Sequence, residues 1–339
     1  MTFRNRSFQL VLTLALGMAA FCPFAHATFP GRNGRIAFIQ GADVYTMKPD
    51  GSEVRQLTAL SDGNSAFWES WSADGKQLVF SEFPAPDFFG QLWVMNSDGS
   101  NQHVLVEDPG FDDETPSFSP DGSHVIFARC QPLGGEFPCA IYRVQVDGTG
   151  LAPITPVRIE LGDFFPEYSP DGTTISFTSF GRGGILGALY QMNPDGSHIR
   201  KLTAAVIGAL NGDWSPDGSS LAFSDHCCNP PLPSIYTSER DGGRVRRRTY
   251  DRGKFNDAGP SWAPEGGAIA FQRTNTIDGS VGIWVLRLDT NREQLIHTIP
   301  ASAARRMPSH FHHAGRFGSR SHTKQVEDGG LDPRWGVAQ

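Results

Sequence analysis

The sequence predicts an all-β fold, a six-bladed β-propeller with four antiparallel strands in each blade. Two observations support this prediction: two series of turn motifs recur with a period of about 48 residues, and short apolar segments lie between successive turns. Self-similarity at this spacing is typical of propellers, whose blades are four-stranded antiparallel sheets. The predicted propeller spans residues 28–339.

The first turn series consists of Ser-Pro-Asp-Gly and its degenerate copies. Its acidic residues are 47, 50, 46 and 48 positions apart: Asp74, Asp121, Asp171, Asp217 and Glu265. The second series is spaced by 46 to 49 residues: Asp50, Asp98, Asp147, Asp195, Asp241 and Asp289. Asp-Gly pairs favour tight turns because glycine adopts positive φ without steric cost. We therefore interpret these carboxylates as turn residues rather than calcium ligands.

Aromatic residues mark the strands between these turns. The second strand of each repeat ends in phenylalanine: Phe38, Phe80, Phe127, Phe177, Phe223 and Phe271. The first strand ends in an aromatic residue directly before the turn: Trp71, Phe118, Tyr168, Trp214 and Trp262. A sixth copy of this first strand lies at the carboxyl end, in residues 331–336. We predict that this strand completes the first blade and closes the ring, so that no strand edge is exposed between the chain ends.

The full repeat is Pro-x-aromatic-Ser-Pro-Asp-Gly, a strand ending in Phe, Ile-Tyr-x-Met-x-x-Asp-Gly, and Leu-Thr. It resembles the repeat of the TolB-like six-bladed propellers over residues 34–296 and at Trp335. In that family the central channel receives ligands and partner segments, so the resemblance implies a binding role for the channel. TolB itself carries an α/β domain ahead of its propeller. Here about seven residues separate the predicted cleavage site from the first blade. The resemblance therefore does not assign the full envelope role of TolB to this protein.

The amino terminus has the pattern of an export signal. Arg4 and Arg6 precede an apolar run over residues 8–24, and Ala25-His26-Ala27 offers small residues at a cleavage site. Such a run is too short and wrongly flanked for a membrane-spanning helix. We predict that residues 1–27 are a signal peptide and that the protein is periplasmic or extracellular, with no membrane span.

Composition and motifs exclude several classes of function. The formal net charge of −7 excludes a dedicated nucleic-acid binder, which needs a basic face to neutralise phosphates. The sequence contains no Gly-x-Ser-x-Gly elbow, no His-Glu-x-x-His motif and no phosphate-binding glycine loop. No catalytic residue and no metal ligand is therefore assigned.

Four cysteines follow the predicted signal peptide: Cys130, Cys139, Cys227 and Cys228. We predict a disulfide between Cys130 and Cys139, which flank a loop rich in glycine and proline, because exported proteins meet an oxidising compartment. The state of the adjacent pair stays open, since a bridge between neighbours is strained. Residues 297–325 contain basic residues and no acidic ones, and we interpret them as a mobile basic insertion rather than a zinc site.

Acidic residues recur near the start of the first strands. Asp113, Asp163 and Asp257 lie three residues before the proline of the strand, and three further carboxylates lie within or near it: Glu69, Glu167 and Asp213. If the first strand is innermost, these carboxylates approach the central channel and favour a cationic guest, such as Ca²⁺, an arginine or a basic peptide. The alternative is that the aspartates cap turns by accepting hydrogen bonds from backbone amides.

The loops opposite the Asp-Gly turns vary in length and composition, and variable loops on a rigid scaffold are where binding usually occurs. They contain apolar residues such as Phe88 and Phe89, which either contact a partner or pack onto their own blades. The sequence thus favours a non-catalytic scaffold that binds an envelope protein or peptide and needs no cofactor, with a channel-bound Ca²⁺ left open. The alternative is a secreted lyase or hydrolase acting on carbohydrate or another extracellular polymer.

Overall fold

The computed structural model describes residues 29–61, 63–86, 89–133, 138–182, 187–203, 208–225, 233–250, 253–300, 303 and 333–338. This part of the chain contains 24 β-strands and no helix. It therefore has no helix that could cross a membrane. The architecture is that of an all-β propeller built from four-stranded antiparallel units.

One sheet joins both ends of the described chain: β1 (Asn33–Gln40), β2 (Asp43–Met47), β3 (Arg55–Gln56) and β24 (Arg334–Val337). Three further sheets have four strands each. These are β4 (Ser65–Trp71), β5 (Gln77–Phe83), β6 (Gln91–Asn96) and β7 (His103–Val106); β16 (Ala209–Trp214), β17 (Ser220–Asp225), β18 (Ile235–Glu239) and β19 (Arg246–Arg247); and β20 (Phe255–Trp262), β21 (Ala268–Asn275), β22 (Val281–Arg287) and β23 (Arg292–Ile299).

The remaining eight strands form a single sheet: β8 (Asp112–Phe118), β9 (His124–Cys130), β10 (Cys139–Gln145), β11 (Ala152–Pro153), β12 (Gly162–Tyr168), β13 (Ile175–Phe180), β14 (Ala188–Met192) and β15 (Arg200–Lys201). It consists of two antiparallel sets of four strands, joined by one parallel residue pair, Cys139 with Gly162. The hydrogen-bonded sheets are therefore five in number, and the count of six blades stays a prediction.

The core lies between the faces of neighbouring sheets. The phenylalanines that end the second-strand motif are fully buried in every copy: Phe38, Phe80, Phe127, Phe177, Phe223 and Phe271. The second strand of each four-stranded unit is covered on both faces, because a neighbouring sheet packs on each side of it. Its apolar residues are therefore continuous rather than alternating, as in Leu78 to Phe80.

The Asp-Gly turns are stabilised by their own aspartates. Asp121 Oδ1 accepts hydrogen bonds from Ser119 Oγ at 2.6 Å and from Ser123 N at 3.0 Å, and equivalent bonds recur at Asp171 and Asp217. The carboxylates thus satisfy backbone donors of the turn. Within the described ranges no group of three or more His, Cys, Asp or Glu residues could hold a metal ion.

The closing strand β24 pairs antiparallel with β1, with Trp335 opposite Ile36. Trp335 N donates to Ser261 Oγ at 3.1 Å, and Trp71 Nε1 donates to the carbonyl of Arg334 at 3.3 Å. Gly336 lies against the ring of Trp71, where an added Cβ would be 2.7 Å from the indole. Strand β24 is therefore held between β20 and β4.

Two predicted segments need correction or fall outside the described residues. Strand β23 extends to Ile299, so residues 297–299 belong to a strand and not to the predicted basic insertion. A long antiparallel pairing with β22 explains the extension. Residues 304–325, Phe88, Cys227 and Cys228 lie outside the described residues, as do positions 331 and 332 of the predicted closing strand.

Replacing Trp335 with alanine should lower the free energy of unfolding by about 3–5 kcal/mol, because the indole is only 7% exposed and its loss leaves a cavity between blades. Chemical denaturation measures this change. The exposed Ile277→Ala serves as the control and should stay within about 0.5 kcal/mol of the unchanged protein. Equal stability of both variants would contradict the closing role of β24.

Cys130 and Cys139 face each other across β9 and β10 and form a disulfide, with their Cα atoms 4.0 Å apart. The bridge closes a short loop and should contribute roughly 2–3 kcal/mol to stability. Non-reducing peptide mapping by mass spectrometry of the protein purified without reductant should recover the two linked peptides. Alkylatable thiols at both positions would refute the pairing.

Candidate functional site

The candidate site is the central channel, which is surrounded by the first strand of each four-stranded unit and by the closing strand. Strands β4, β8, β12, β16 and β20 each contact the next one, and β24 contacts both β20 and β4. These six strands form a continuous ring. Residues near the middle of each strand therefore converge on one axis.

Each first strand carries a bulge where its pairing with the second strand shifts register. One residue of every bulge adopts a positive φ, between 51° and 58°: Trp68, Thr115, Phe165, Asn211 and Gly259. Glycine takes this conformation freely, whereas bulky or β-branched residues such as Trp68 and Thr115 store strain of about 1–3 kcal/mol each. Strain of this kind is concentrated at functional sites, and here it recurs around a channel.

Two cavities lie along the channel. The mouth cavity is nearer the variable loops and is lined by Trp68, Thr115, Pro116, Phe165, Pro166, Glu167, Asn211, Gly212 and Arg334. The inner cavity is nearer the Asp-Gly turns and is lined by Phe29, Ser70, Trp71, Ser117, Phe118, Glu167, Asp213, Ser261, Arg334 and Trp335. Glu167 and Arg334 line both cavities, so these two residues lie where the mouth cavity and the inner cavity meet.

A ring of polar residues surrounds the inner cavity. Its members each directly precede an aromatic residue of an inner strand, which is the last residue of the strand in every case except Trp335: Ser70, Ser117, Glu167, Asp213, Ser261 and Arg334, named here the polar ring. Asp213 Oδ2 accepts a hydrogen bond from Trp262 N at 2.6 Å. In the same way, Ser261 Oγ accepts one from Trp335 N of the closing strand. The polar ring therefore lines the channel and also links neighbouring sheets.

The charges of the polar ring are unequal, because it holds two carboxyls and one guanidinium. Arg334 Nη1 lies 3.8 Å from Asp213 Oδ1, and the Arg334 side chain is 20% exposed. Burial raises the pKa of Glu167 to about 8; Arg334 opposes this rise, and the negative charge of Asp213 adds to it. A pKa of about 8 means that the Glu167 carboxyl is mainly protonated at neutral pH.

Three of the predicted channel carboxylates have a different role. Asp113 is buried and forms a two-point salt bridge with Arg129, at 2.7 and 2.8 Å, on the neighbouring strand β9. The same arrangement pairs Asp163 with Arg182 and Asp257 with Arg273. Within the described part of the chain these aspartates pair with arginines, whereas the two sequence interpretations gave them a free charge for a guest or a turn-capping role. They join the first strand to the second strand of the blade or to the loop that follows it.

Aromatic rings support these salt bridges, which we call the Asp–Arg clamps. The guanidinium carbon of Arg129 lies 4.8 Å from the ring centre of Phe111, and that of Arg273 lies 4.8 Å from that of Trp284. Two-point hydrogen bonding and stacking are both features of arginine that lysine does not reproduce. The clamps are therefore structural.

The other predicted site residues are divided between channel and core. Glu167 and Asp213 are brought together in the polar ring, as described above. Glu69 is buried on β4 beside Ser70, and Phe89 is half-buried just before β6. Sequence reasoning missed Arg334 and the other ring members, although their shared position before the terminal aromatic was a signal that could have found them.

Replacing Asp113 with asparagine should lower the free energy of unfolding by about 3–5 kcal/mol, because Arg129 would keep a buried charge without its two-point partner. Thermal or chemical denaturation measures the loss. Glu160→Gln, at an exposed position in a neighbouring loop, is the control and should be nearly neutral. A variant as stable as the control would show that the clamp is dispensable.

Comparisons with known proteins agree with this architecture. The sequence profile described as the TolB beta propeller domain matches residues 157–310. An uncharacterized protein of Agrobacterium fabrum strain C58 is 28% identical over 169 residues, which are 48% of this chain and 53% of the relative. The chain thus spans about half the length of this curated relative.

Two solved structures show the same fold. TolB from Acinetobacter baumannii superposes with a TM-score of 0.66 at 18% identity, covering 90% of this chain and 67% of that one. An oligogalacturonate lyase from Vibrio parahaemolyticus superposes with a TM-score of 0.54 at 18% identity, covering 81% of this chain and 77% of that one. At these identities the likeness concerns the fold alone.

Proposed function

Because the chain is a TolB-like β-propeller, we propose that it is a non-catalytic scaffold of the cell envelope that binds a protein or peptide segment at the channel mouth. The observation that carries the proposal is the mouth cavity, where strained residues of successive inner strands meet. Such strain is maintained when the surrounding structure requires it, and it is typical of recognition sites. A scaffold of this kind needs no resident cofactor.

The surface around the mouth supports the same role. Successive strands run in opposite directions, so the loops that follow second strands and those that precede first strands lie on one face, here called the loop face. Of the seven exposed large apolar residues in the described chain, four lie on it: Leu133, Ile159, Tyr250 and Ile277. Exposed apolar residues around a polar channel are a feature of partner surfaces.

We include a six-bladed ring in this proposal. The strands group into six antiparallel four-stranded units, and each unit contributes one member of the polar ring. The eight-stranded sheet counts as two blades, because a single residue pair joins its halves. Export to the periplasm belongs to the same proposal and is supported by the signal pattern in residues 1–27.

The experiment compares two variants that remove exposed apolar side chains from opposite faces. The loop-face variant combines Ile159→Ser, Tyr250→Ser and Ile277→Ser, and the turn-face control combines Val54→Ser and Leu151→Ser. All five side chains are exposed, so both proteins should fold. After cross-linking in an envelope extract, the loop-face variant should capture its partner at least about tenfold less than the control, since each lost apolar contact weakens association.

Capture that fails in the turn-face control and persists in the loop-face variant would place the site on the opposite face and contradict the proposal.

The enzyme alternative rests on a specific feature, the two carboxyls of Glu167 and Asp213 in one channel. A pair of carboxyls can act as acid and base, or as acid and nucleophile, on a glycosidic bond. Incubation with oligosaccharides, followed by detection of new reducing ends or unsaturated products, tests it. Turnover that disappears in Glu167→Gln would favour the enzyme over the scaffold.

A further inference from the structure

Most junctions between neighbouring four-stranded units share a glycine contact at the outer rim of the ring. In each, a glycine of an Asp-Gly turn, with φ between 83° and 86°, packs against a backbone carbonyl at the outermost strand of the preceding unit: Gly51 on Ile296, Gly99 on Leu57, Gly148 on Leu105, Gly196 on Ile154 and Gly242 on Leu202. A Cβ added at Gly99 would lie 2.7 Å from the Leu57 carbonyl oxygen. The contact therefore requires glycine, both for its conformation and for its size.

The same five junctions share an apolar contact. The residue that supplies the carbonyl also packs in one cluster with an aromatic residue from the third strand of the following unit: Leu57 with Trp93, Leu105 with Tyr142, Ile154 with Tyr190, Leu202 with Tyr236 and Ile296 with Tyr45. Each of these junctions is thus held at its rim by a glycine and by an aliphatic side chain.

The junction between the sheet β16–β19 and the sheet β20–β23 lacks both features. Thr290 stands in the repeat where the other turns have glycine, and Arg248 stands where the other outermost strands have an aliphatic residue. The positive φ of this turn falls on Asn291 instead, at 54°. A guanidinium group therefore takes the place of an apolar contact at this rim.

Strand register places a second arginine and a leucine at the same rim. Two rows of paired residues run outward from the interior of the junction: Ala222, Thr237 and Arg246 in one sheet, and Phe271, Trp284 and Leu295 in the other. Ala222 and Phe271 belong to one core cluster between the two sheets. Directly paired residues of antiparallel strands lie on the same face of a sheet, so Arg246 and Leu295 lie at the outer end of this junction.

The two arginines of this rim lack acidic partners. Arg248 Nε donates a hydrogen bond to Thr237 Oγ1 at 2.8 Å, which holds the side chain on the same face as Arg246. The nearby Arg244 pairs with Glu239 at 3.1 Å, but among the described residues neither Arg246 nor Arg248 forms a salt bridge. Burial lowers the pKa of Arg248, and the positive charge of Arg246 lowers it further. An anionic partner would relieve this repulsion.

We propose that Arg246, Arg248 and Leu295, named here the arginine seam, form a second docking surface that binds an acidic segment of a partner protein. This surface lies on the outer rim of the ring, so the inference goes beyond the proposed function at the channel mouth. Guanidinium groups bind carboxylates through paired hydrogen bonds. Arg246 and Arg248 are alternate residues of β19 and its continuation, about 7 Å apart, which matches the spacing of alternate residues in an extended segment.

The apolar member of the arginine seam favours a peptide over other anions. Leu295 is 44% exposed on the sheet that faces the two arginines. Successive residues of an extended peptide point to opposite sides, so acidic residues can meet the arginines while an apolar residue meets Leu295. Membrane binding by basic segments uses clusters of about four to eight cationic residues, and nucleic-acid binding uses a broad basic face. Two unpaired guanidiniums suit a pair of carboxylates.

The test measures capture of the purified protein on immobilised glycine-serine peptides that contain Asp-Leu-Asp, Asn-Leu-Asn or Lys-Leu-Lys. Vesicles containing phosphatidylglycerol and a DNA duplex form parallel arms. We expect the Asp-Leu-Asp peptide to be preferred. The double variant Arg246→Gln with Arg248→Gln should bind it at least about tenfold less, because two charge-assisted contacts are lost.

The matched control combines Arg200→Gln with Lys201→Gln, which removes the same charge from the exposed edge strand β15 and should keep the binding. The variant Leu295→Ser should weaken capture several-fold, and Arg246→Glu with Arg248→Glu should transfer the preference to the Lys-Leu-Lys peptide. Thermal melting of each variant establishes that it is folded.

Equal losses in the arginine-seam variant and the β15 control would show a general effect of charge and overturn the inference. Absence of capture by the Asp-Leu-Asp peptide, or binding to the vesicles or the duplex without a preference for that peptide, would overturn it as well. None of these results depends on the loop face, so they are distinguishable from failure of the proposed function.

Discussion

The hydrogen bonds between β24 and β1 are the interaction on which both the ring and the channel depend. They join Trp335 to Ile36, which are 299 positions apart in the sequence. Bringing such distant segments together has an entropic cost that grows slowly with loop length, and burial of Trp335 offsets it. The same strand delivers Arg334 to the polar ring, so closure of the fold and assembly of the candidate site are one event.

The protein places carboxylates in two different environments. In the Asp–Arg clamps each buried aspartate has a two-point arginine partner, which neutralises its charge within the blade. In the polar ring Glu167 is buried near Arg334 and Asp213, and its burial raises its pKa to about 8. The two-point arginine partner, rather than the type of acidic residue, therefore distinguishes the clamp aspartates from the carboxyls of the polar ring.

Much of the fold could be predicted because the determinants are local and repeated. Asp-Gly turns, second-strand phenylalanines and first-strand aromatics recur at one spacing, and each specifies a short stretch of chain. The pairing of Asp113 with Arg129 was also accessible in principle, since they are 16 residues apart across one hairpin, as are Asp257 and Arg273. Spacing within the repeat locates Asp113 and Asp257, whereas their role depends on the arginines opposite them.

Other features of the site depend on three-dimensional surroundings. Nothing in the type of Trp68 or Phe165 predicts a left-handed backbone, which is imposed by the bulge and by the ring of strands. The proton on Glu167 depends on burial and on Asp213 and Arg334, which come from strands distant in sequence. Single-sequence patterns identify such residues as acidic and cannot specify their protonation.

The central claim is that Glu167 is protonated in the free channel at neutral pH. The most direct measurement is a pH titration of the Glu167 side-chain carboxyl carbon by NMR in the folded protein, with its signal assigned by comparison with Glu167→Gln. The account predicts a midpoint near pH 8, as the pKa of about 8 requires. A midpoint near the ordinary glutamate value of about 4.3 would show that the channel is well solvated or fully neutralised, and would contradict the account.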